Sequence, residues 1–426
     1  MNILVITPYL PYPNAPSGGA TLLYTLLRAL SAQCNIYLAA MYEPSEEQAL
    51  AQLSKWVEVV LAVEKVESSD QVAPPLPVRE KTPSFWSSIQ LLLGSLVQYG
   101  ASVFGIYARQ KPDQARFWQA LVPILQSLQP DIIQVEYGHF CRLFARRLTG
   151  FGTTVGAAHD VEFKPAQRYA ERANGFHRLA CWAKYYALRR AELAAYRHLK
   201  KIYALSEFDA ALLRQLDTRL CVGVRRAGLD VLPCPVPMQR SGQQLLFVGA
   251  MHRPENLEAV KFLRFEVMPK VWQKVPTATL HIVGKGAPSS VLRWSEGVSM
   301  QFHGYQPDLS AFYAEATAAL VPLFVGGGVI VKLLEALAHG VPTVATPIAN
   351  EGIGAPDGKA VLLASDADAF SQHILSLLSD SYLRQTLSLE ARAFVEAHFR
   401  IEQVAQTLID DYERLTLASY RSCKNG

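Results

Sequence analysis

The sequence has few cysteines, and nothing in their arrangement could organise a fold. Its 426 residues include six cysteines, with no Cys-x-x-Cys pair and no spacing typical of metal ligands. This scarcity excludes a disulfide-stapled secreted scaffold and a cysteine-based zinc module. We expect the thiols to be reduced, with several of them in hydrophobic cores.

Signals for nucleic acid and for secretion are also lacking. The formal net charge is only +4, the basic residues are spread along the chain, and no RNA- or DNA-binding motif is found. We therefore predict no nucleic-acid partner. Met1 and Asn2 lead directly into an apolar stretch without a basic leader or a cleavage site, which favours a cytoplasmic location. The mild basicity leaves peripheral contact with an anionic membrane, at its inner face, as an open alternative.

Charge is absent from one long stretch, residues 85–108, which contains no Asp, Glu, Lys or Arg. Two glutamines, three glycines and four serines dilute its hydrophobic character. We therefore reject a transmembrane span and predict one or two amphipathic helices. Their apolar surface either belongs to a core or contacts a membrane or a lipid acceptor.

Buried strands alternate with helical segments along the whole chain, which is typical of an α/β fold. Residues 2–7 and 131–136 are apolar runs of the kind found in parallel sheets, and a second set of such runs begins at residue 244. A hydrophobic content of 50% over this length suffices for two domains with separate cores. The proline-rich segment 231–237 is the predicted connector between them.

Residues 321–347 contain the most informative pattern, in which a strand is followed by a glycine loop, a helix, a turn and another strand. Gly326, Gly327 and Gly328 form the loop, and the helix that follows carries Lys332 and Glu335. A glycine loop at a helix N-terminus favours phosphate or diphosphate, because free N–H groups and the positive end of the dipole face the ligand. A glycine-rich turn with two solvated charges remains the alternative. Gly340 and Pro342 are predicted to end the helix.

Two further strand ends carry polar or glycine-rich segments. The apolar run at 155–158 leads into His159, Asp160 and Glu162, and ligands of doubly wound folds lie at the carboxyl ends of strands. A buried structural histidine with capping acids is the alternative. Gly18 and Gly19 precede a helix, where they form either an ordinary turn or an anion-binding nest.

The chain resembles GT-B glycosyltransferases of family 4, most clearly at residues 245–363 and 1–32. In that family a P-x(3–4)-G-x-G loop precedes a helix with K-x-L-E-A, followed by G-x-P-V-V. The matching residues are Pro322, Gly326, Gly328, Lys332, Leu334, Glu335, Ala336, Gly340, Pro342 and Val344. A second segment, from Phe247 to Asn256, resembles the family's F-V-G-x-M-x-x-x-P-N, with its proline one position earlier.

The resemblance implies roles for individual residues. Glu335 is expected to bind the nucleotide ribose, Arg253 and Lys332 the diphosphate, and Tyr305 the nucleobase region. The loop from Gly326 to Val329 is expected to line the donor site. Gly18 and Gly19 are expected near the donor diphosphate or the acceptor. His159 is expected to contact sugar or handle a proton, with Asp160 beside it in the catalytic set.

The sequence departs from the family pattern at two places in the glycine loop. Many members have a glutamate that touches the donor sugar where this chain has Gly327. A subgroup has Thr-Arg where this chain has Val329 and Ile330. These departures bear on the contacts to the donor sugar.

The resemblance implies two Rossmann-like domains with an interdomain cleft. Residues 1–235 are the expected acceptor domain and residues 236–401 the expected nucleotide-sugar donor domain, with helix 402–426 packing back on the first. The implied reaction is retaining transfer of a sugar, from a UDP-sugar or another nucleotide sugar, to a hydroxyl of a glycan or glycolipid. No metal or other cofactor is expected. A catalytically impaired scaffold protein and a nucleotide-sugar 2-epimerase are the alternatives.

Overall fold

The computed structural model describes residues 1–424 apart from 14, 16, 54, 66–84, 104, 105, 107, 109 and 231–241. The chain divides into two compact units. Unit 1 comprises Met1–Asp230 together with Ile401–Gly426, and unit 2 comprises Val231–Arg400. The predicted connector at 231–237 and the predicted domain boundary at residue 235 lie outside the described residues.

Unit 1 is built on a seven-stranded sheet in the order β3-β2-β1-β4-β5-β6-β7, in which every pairing is parallel. Parallel strands need crossover connections and are covered on both faces, so their sequences are largely apolar. The strands are β1 Asn2–Thr7, β2 Asn35–Tyr42, β3 Glu58–Glu64, β4 Ile132–Glu136, β5 Thr153–Ala158, β6 Lys201–Ala204 and β7 Val222–Val224.

Helices cover both faces of this sheet and enclose a core on each. They are α1 Gly18–Leu30, α2 Glu47–Leu53, α3 Phe85–Val103, α4 Pro112–Leu128, α5 Gly138–Phe144, α6 Phe163–Arg172, α7 Gly175–Tyr196, α8 Glu207–Leu216 and α17 Ile401–Lys424. Among the described residues, no helix is long and apolar enough to cross a membrane. Residues 85–103 of the uncharged stretch form α3, which packs against α7.

Unit 2 has a six-stranded parallel sheet in the order β10-β9-β8-β11-β12-β13. Its strands are β8 Gln244–Val248, β9 Thr279–Val283, β10 Met300–Phe302, β11 Ala318–Val321, β12 Thr343–Ala345 and β13 Leu362–Leu363. Its helices are α9 Pro254–Phe262, α10 Met268–Lys274, α11 Ser289–Leu292, α12 Ser310–Glu315, α13 Val331–Ala338, α14 Pro347–Asn350, α15 Ala367–Ser379 and α16 Ser381–Phe399.

Both sheets have the strand order of a doubly wound Rossmann-like fold. In each, the order reverses between the first strand and the fourth, which are β1 and β4 in unit 1 and β8 and β11 in unit 2. Ligands of open α/β sheets bind outside the carboxyl ends of the strands at such a reversal. We therefore expect ligand-binding groups among the residues that follow these four strands.

Helix α17 belongs to unit 1, although it follows unit 2 in the sequence. Its Ile401, Leu408 and Tyr412 are buried in the same core as residues of β1 and α1. The Tyr412 hydroxyl donates a hydrogen bond to Gln134 of β4 at 2.5 Å. Asp411 accepts hydrogen bonds from Lys201 and from the Tyr203 hydroxyl, both at 2.5 Å. These contacts fix the helix against the sheet.

We predict that Tyr412→Phe lowers the free energy of unfolding by about 1–2 kcal/mol, because a buried acceptor on Gln134 loses its donor. The measurement is chemical denaturation followed by circular dichroism. Tyr382→Phe is the matched control, since the Tyr382 side chain is 77% exposed, and it should leave stability unchanged. Equal stability of the two variants would contradict a contribution of this hydrogen bond.

Candidate functional site

Helix α13 and the loop before it form the centre of the site in unit 2. The predicted helix is confirmed at Val331–Ala338, with Leu333, Leu334 and Leu337 buried in the core. Gly340 follows with φ of 61°, the left-handed conformation that ends helices and that glycine adopts most readily. The loop joins the end of β11 to this helix, so the N-terminus of α13 lies at the carboxyl edge of the sheet.

Lys332 points from the first turn of α13 toward the loop that follows β8. Its Nζ donates a hydrogen bond to the side chain of Asn256 at 2.5 Å and lies 4.5 Å from the centre of the Phe247 ring. Asn256 is held in turn by a hydrogen bond from its amide to Ala250 O at 2.9 Å. A Cβ at Gly249 would lie 2.6 Å from Lys332 Nζ, so a larger residue there would displace the amine from this position. The strand reversal between β8 and β11 thus carries a fixed amine.

The two charged side chains of α13 have shifted pKa values. Burial lowers the pKa of Lys332 to about 7; Glu255 opposes this shift and Arg253 adds to it. Burial also raises the pKa of Glu335, against the Tyr313 hydroxyl, which donates to it at 3.2 Å, and against the charge of Lys332. Partly desolvated groups of this kind bind ligand charges more strongly than solvated ones. Lys332 and Glu335, which were both predicted as site residues, lie on the same face of α13.

The glycine loop takes backbone conformations that favour glycine. Gly326 and Gly328 have φ of 151° and 65°. A Cβ at Gly352 would lie 2.0 Å from Gly328 O, so the loop is packed directly on the backbone of the segment after α14. Gly327 and Val329 lie in the same loop. No side chain at position 327 takes the place of the family's glutamate.

Of the other predicted donor residues, Arg253 and Tyr305 follow strands β8 and β10 of the same sheet, whereas Gly18 and Gly19 begin α1 in unit 1. Arg253 is the residue that precedes α9, and its side chain is 55% exposed with Glu255 at 3.7 Å. Its charge contributes to the lowered pKa of Lys332. Tyr305 follows β10 and is 59% exposed. Both side chains are accessible to a ligand in unit 2.

Unit 1 has a separate buried cluster at the carboxyl ends of β4, β5 and β7. Glu136 ends β4 and is fully buried. Arg225 binds both of its carboxylate oxygens, at 2.6 and 3.0 Å, and His159 Nε2 lies 2.6 Å from it. Burial opposes ionisation of Glu136, but Arg225 and His159 more than offset this and hold its pKa well below the ordinary value.

His159 is fixed in one orientation and one tautomer. An ionised carboxylate only accepts hydrogen bonds, so Nε2 carries the proton that is donated to Glu136, and Nδ1 is left as an acceptor. Burial lowers the pKa of His159, which keeps the ring neutral near pH 7. The Tyr137 ring stacks on it at 3.8 Å between centres. Nδ1 faces Gly19 of α1, where a Cβ would lie 3.0 Å away.

The N-terminus of α1 approaches this histidine because two glycines begin the helix. Gly18 and Gly19 are its first residues, and a Cβ at Gly19 would lie 2.6 Å from the Tyr137 hydroxyl. The Tyr137 hydroxyl is buried and has no hydrogen-bond partner within the described part of the chain. The structure therefore brings Gly19, at the start of α1, close to His159.

Asp160 is part of an acidic group next to His159. Burial, with the charges of Glu162 and Asp209, raises the pKa of Asp160 to about 6. Glu162 is bound by Arg142 and lies 3.6 Å from His139, and these partners lower its pKa despite burial. A carboxyl group that titrates near pH 6 can accept or return a proton at neutral pH.

Several residues of both sites were missed by sequence reasoning. Asn256, Gly249 and Gly352 position the donor-side groups, while Glu136 and Arg225 position His159. The signal for Glu136 was a carboxylate at the end of an apolar strand, and the signal for Asn256 was its place in the second family-like segment. Arg225 gave no local signal, since it is 89 residues from its partner.

The described residues contain no group of three or more His, Cys, Asp or Glu side chains arranged to hold a metal ion. Independence from metal stays a prediction. In the described part of the chain, Cys34, Cys141, Cys181 and Cys221 are free thiols, and the first three are buried.

Both units are Rossmann-like, with a parallel sheet and with polar groups at the strand reversal. These features define the class of protein. The chain has the GT-B fold of glycosyltransferases. Residues 242–380, which lie in unit 2, match the family model Glycosyl transferases group 1. The expected fold and the resemblance to a GT-B glycosyltransferase are confirmed.

Solved structures share this fold over nearly the whole chain. HepE from Anabaena, in complex with UDP, has a TM-score of 0.67 at 14% identity, covering 97% of this chain and 100% of that one. A sucrose-phosphate synthase from Thermosynechococcus elongatus has a TM-score of 0.68 at 16% identity, covering 98% and 100%.

Two curated relatives match shorter regions. A Corynebacterium glutamicum GDP-mannose-dependent monoacylated alpha-(1-6)-phosphatidylinositol monomannoside mannosyltransferase is 32% identical over 159 residues, 34% of this chain and 41% of that protein. An uncharacterized 44.6 kDa protein in the cps region of Klebsiella pneumoniae is 24% identical over 175 residues, 39% and 45% of the two chains. The chain spans less than half the length of each.

We predict that His159 titrates below its ordinary pKa of about 6.5 and stays in the Nε2–H tautomer at pH 7. Nitrogen-15 NMR of the imidazole rings measures both, and His159→Gln identifies the signal. Because the folded-state pKa is lowered, the stability linked to this histidine is fully present above about pH 6.5. It is lost as the pH falls from there toward the folded-state pKa. An Nδ1–H tautomer or a raised pKa would contradict the assignment.

Proposed function

We propose that the protein is a retaining glycosyltransferase that moves a hexosyl group from a nucleotide sugar to a hydroxyl group of a glycan or glycolipid. The observation that carries the proposal is the arrangement around α13. A glycine loop, the N-terminus of the helix, Lys332 and Glu335 lie together in a segment that matches a glycosyltransferase family. The donor we favour is a UDP-sugar.

The groups of unit 2 suit the parts of a nucleotide sugar. The free N–H groups at the start of α13 and the amine of Lys332 provide positive charge for a diphosphate, and the exposed guanidinium of Arg253 can bind two phosphate oxygens at once. The Glu335 carboxylate can accept hydrogen bonds from ribose hydroxyls. Tyr305 offers an exposed ring for contact with the base.

In the proposed reaction, the bond between the anomeric carbon and the diphosphate breaks while the acceptor oxygen bonds to that carbon from the same face. Negative charge develops on the departing diphosphate, where the helix N-terminus and the basic side chains stabilise it. The proton of the acceptor hydroxyl passes to the departing diphosphate or to Asp160. In unit 1, His159 Nδ1 is proposed to accept a hydrogen bond from a sugar hydroxyl, and Asp160 is the candidate proton carrier.

The comparisons support the donor class in part. HepE was solved with UDP, and the Corynebacterium mannosyltransferase is named for GDP-mannose. The first favours a uridine donor for this fold and the second keeps a guanosine donor open. The name of the mannosyltransferase also supports a lipid-linked acceptor, and the position of the Klebsiella protein in a cps region supports polysaccharide synthesis.

A second candidate is a nucleotide-sugar-binding protein without transferase activity. Gly327 favours it, because no carboxylate stands where many family members contact the donor sugar. Val329 and Ile330 replace polar residues in the same loop. The two candidates share the donor site and differ in turnover.

The test is calorimetric binding of the purified protein to UDP-, GDP- and ADP-sugars, with release of nucleoside diphosphate followed in the same samples. We expect binding on the order of micromolar for a UDP-sugar, accompanied by slow hydrolysis. Glu335→Gln should weaken binding about tenfold, because one charged acceptor is lost while the contact with Tyr313 can remain. Glu390→Gln, an exposed glutamate on α16, is the control. Binding without turnover would favour the second candidate, and equal affinity of Glu335→Gln and wild type would refute the donor site.

We also predict that binding of UDP is accompanied by proton uptake at pH 8. The pKa of Lys332 is about 7, so the amine is mostly neutral at pH 8 in the free protein. A diphosphate beside it favours the charged form and raises this pKa. Calorimetry in buffers of different ionisation enthalpy measures the number of protons taken up. Lys332→Met should abolish the uptake and weaken binding, whereas persistence of the uptake in this variant would assign it to another group.

A further inference from the structure

Helices α3 and α7 of unit 1 lie side by side and run in the same direction. Near their N-terminal ends, Ser88 Oγ and His177 Nδ1 are 3.0 Å apart. Near their C-terminal ends, Arg190 Nε donates to Ser102 Oγ at 3.1 Å. The two contacts are fourteen residues apart on α3 and thirteen residues apart on α7. The two helices are therefore in contact along nearly the full length of α3.

The polarity of α3 is reversed relative to a helix packed on a core in water. Its buried residues are Ser88, Ser95 and Ser102, which repeat every seven residues, and the first and last of them bond to α7. The opposite face carries large apolar side chains, with exposed fractions of 73% for Trp86, 57% for Leu93, 56% for Leu96 and 72% for Val97. A surface helix of a water-soluble core normally places its apolar residues inward. Small residues between helices and large apolar residues outside are typical of a lipid environment.

The accessible charges of α3 and α7 have one sign. Helix α3 contains no Asp, Glu, Lys or Arg. Helix α7 contributes Arg178, Lys184, Arg189 and Arg190, and its single acidic residue, Glu192, is fully buried. Neither helix therefore presents a carboxylate at the surface. An apolar helix face beside a helix whose accessible charges are cationic is complementary to a bilayer with anionic headgroups.

We propose that the outer face of α3, defined by Trp86, Leu93, Leu96 and Val97, docks on an anionic lipid bilayer. The helix lies in the plane of the membrane, with this face in the boundary between headgroups and acyl chains. The arginines of α7 contact the headgroups. The nineteen residues of α3 give a contact about 28 Å long. The absence of charge from α3 favours lipid over a protein partner, whose surface would supply groups for polar pairing.

The test is flotation of the full-length protein with vesicles made of equal parts phosphatidylcholine and phosphatidylglycerol. We expect the wild-type protein to float with the vesicles at low salt, and to bind more weakly at high salt or to phosphatidylcholine alone. Val97→Asp should reduce the partition coefficient about tenfold or more, because a charge enters the inserted face. Leu93→Ser should act in the same direction. Leu389→Asp on α16 is the matched control, since Leu389 is 58% exposed, and it should leave binding unchanged.

Three results would overturn the proposal. The first is no vesicle binding of wild type at low salt. The second is equal binding of Val97→Asp and wild type. The third is a wild-type dimer in light scattering that Val97→Asp converts to a monomer without any vesicle binding, which would assign the face to a second copy of the chain. Unchanged circular dichroism of the variants shows that they remain folded. Donor binding is measured separately, so failure here leaves the proposed function intact.

Discussion

A buried carboxylate holds the site of unit 1 together. Glu136 is reached by Arg225 from the end of β7 and by His159 from the end of β5, and the side chain of Gln134 also donates to it. An isolated carboxylate at this depth would be costly, and these partners stabilise its charge. The same contacts fix the direction of the histidine ring. Since Gln134 also accepts from Tyr412, the orientation of His159 depends on a helix more than two hundred residues away in sequence.

In unit 2 the corresponding constraint is the close packing of side chains and backbone around glycine positions. The absence of a side chain at position 249 leaves room for the amine of Lys332 beside Asn256, and the absence of one at position 352 lets the glycine loop pack on the backbone there. These close approaches leave the amine partly desolvated and so lower its pKa. The site therefore combines an amine that can readily gain a proton with glycine positions where larger residues would disturb the packing.

The sequence predicted those parts of the structure that depend on patterns among neighbouring residues. Buried parallel strands, the extent of α13 and the role of Gly340 follow from runs and periodicities within a few residues. Lys332 and Glu335 were found because a glycine loop precedes their helix. The pairing of Glu136 with Arg225 could not be found in this way, because it depends on which strands become neighbours in the sheet. The reversed polarity of α3 was equally hidden, since an uncharged helix shows its buried side only once its neighbour is known.

The membership of α17 in unit 1 has a consequence for how the chain folds during synthesis. The ribosome releases the sheet of unit 1 first, then the whole of unit 2, and only afterwards the helix whose tyrosine and aspartate reach β4 and β6. Until then the N-terminal unit lacks one of its covering helices and exposes the core that this helix buries. Domains that form contiguous segments can fold as they emerge. Here the unit that begins first is completed last, and the nascent chain carries an uncovered hydrophobic surface for as long as the second unit takes to be made.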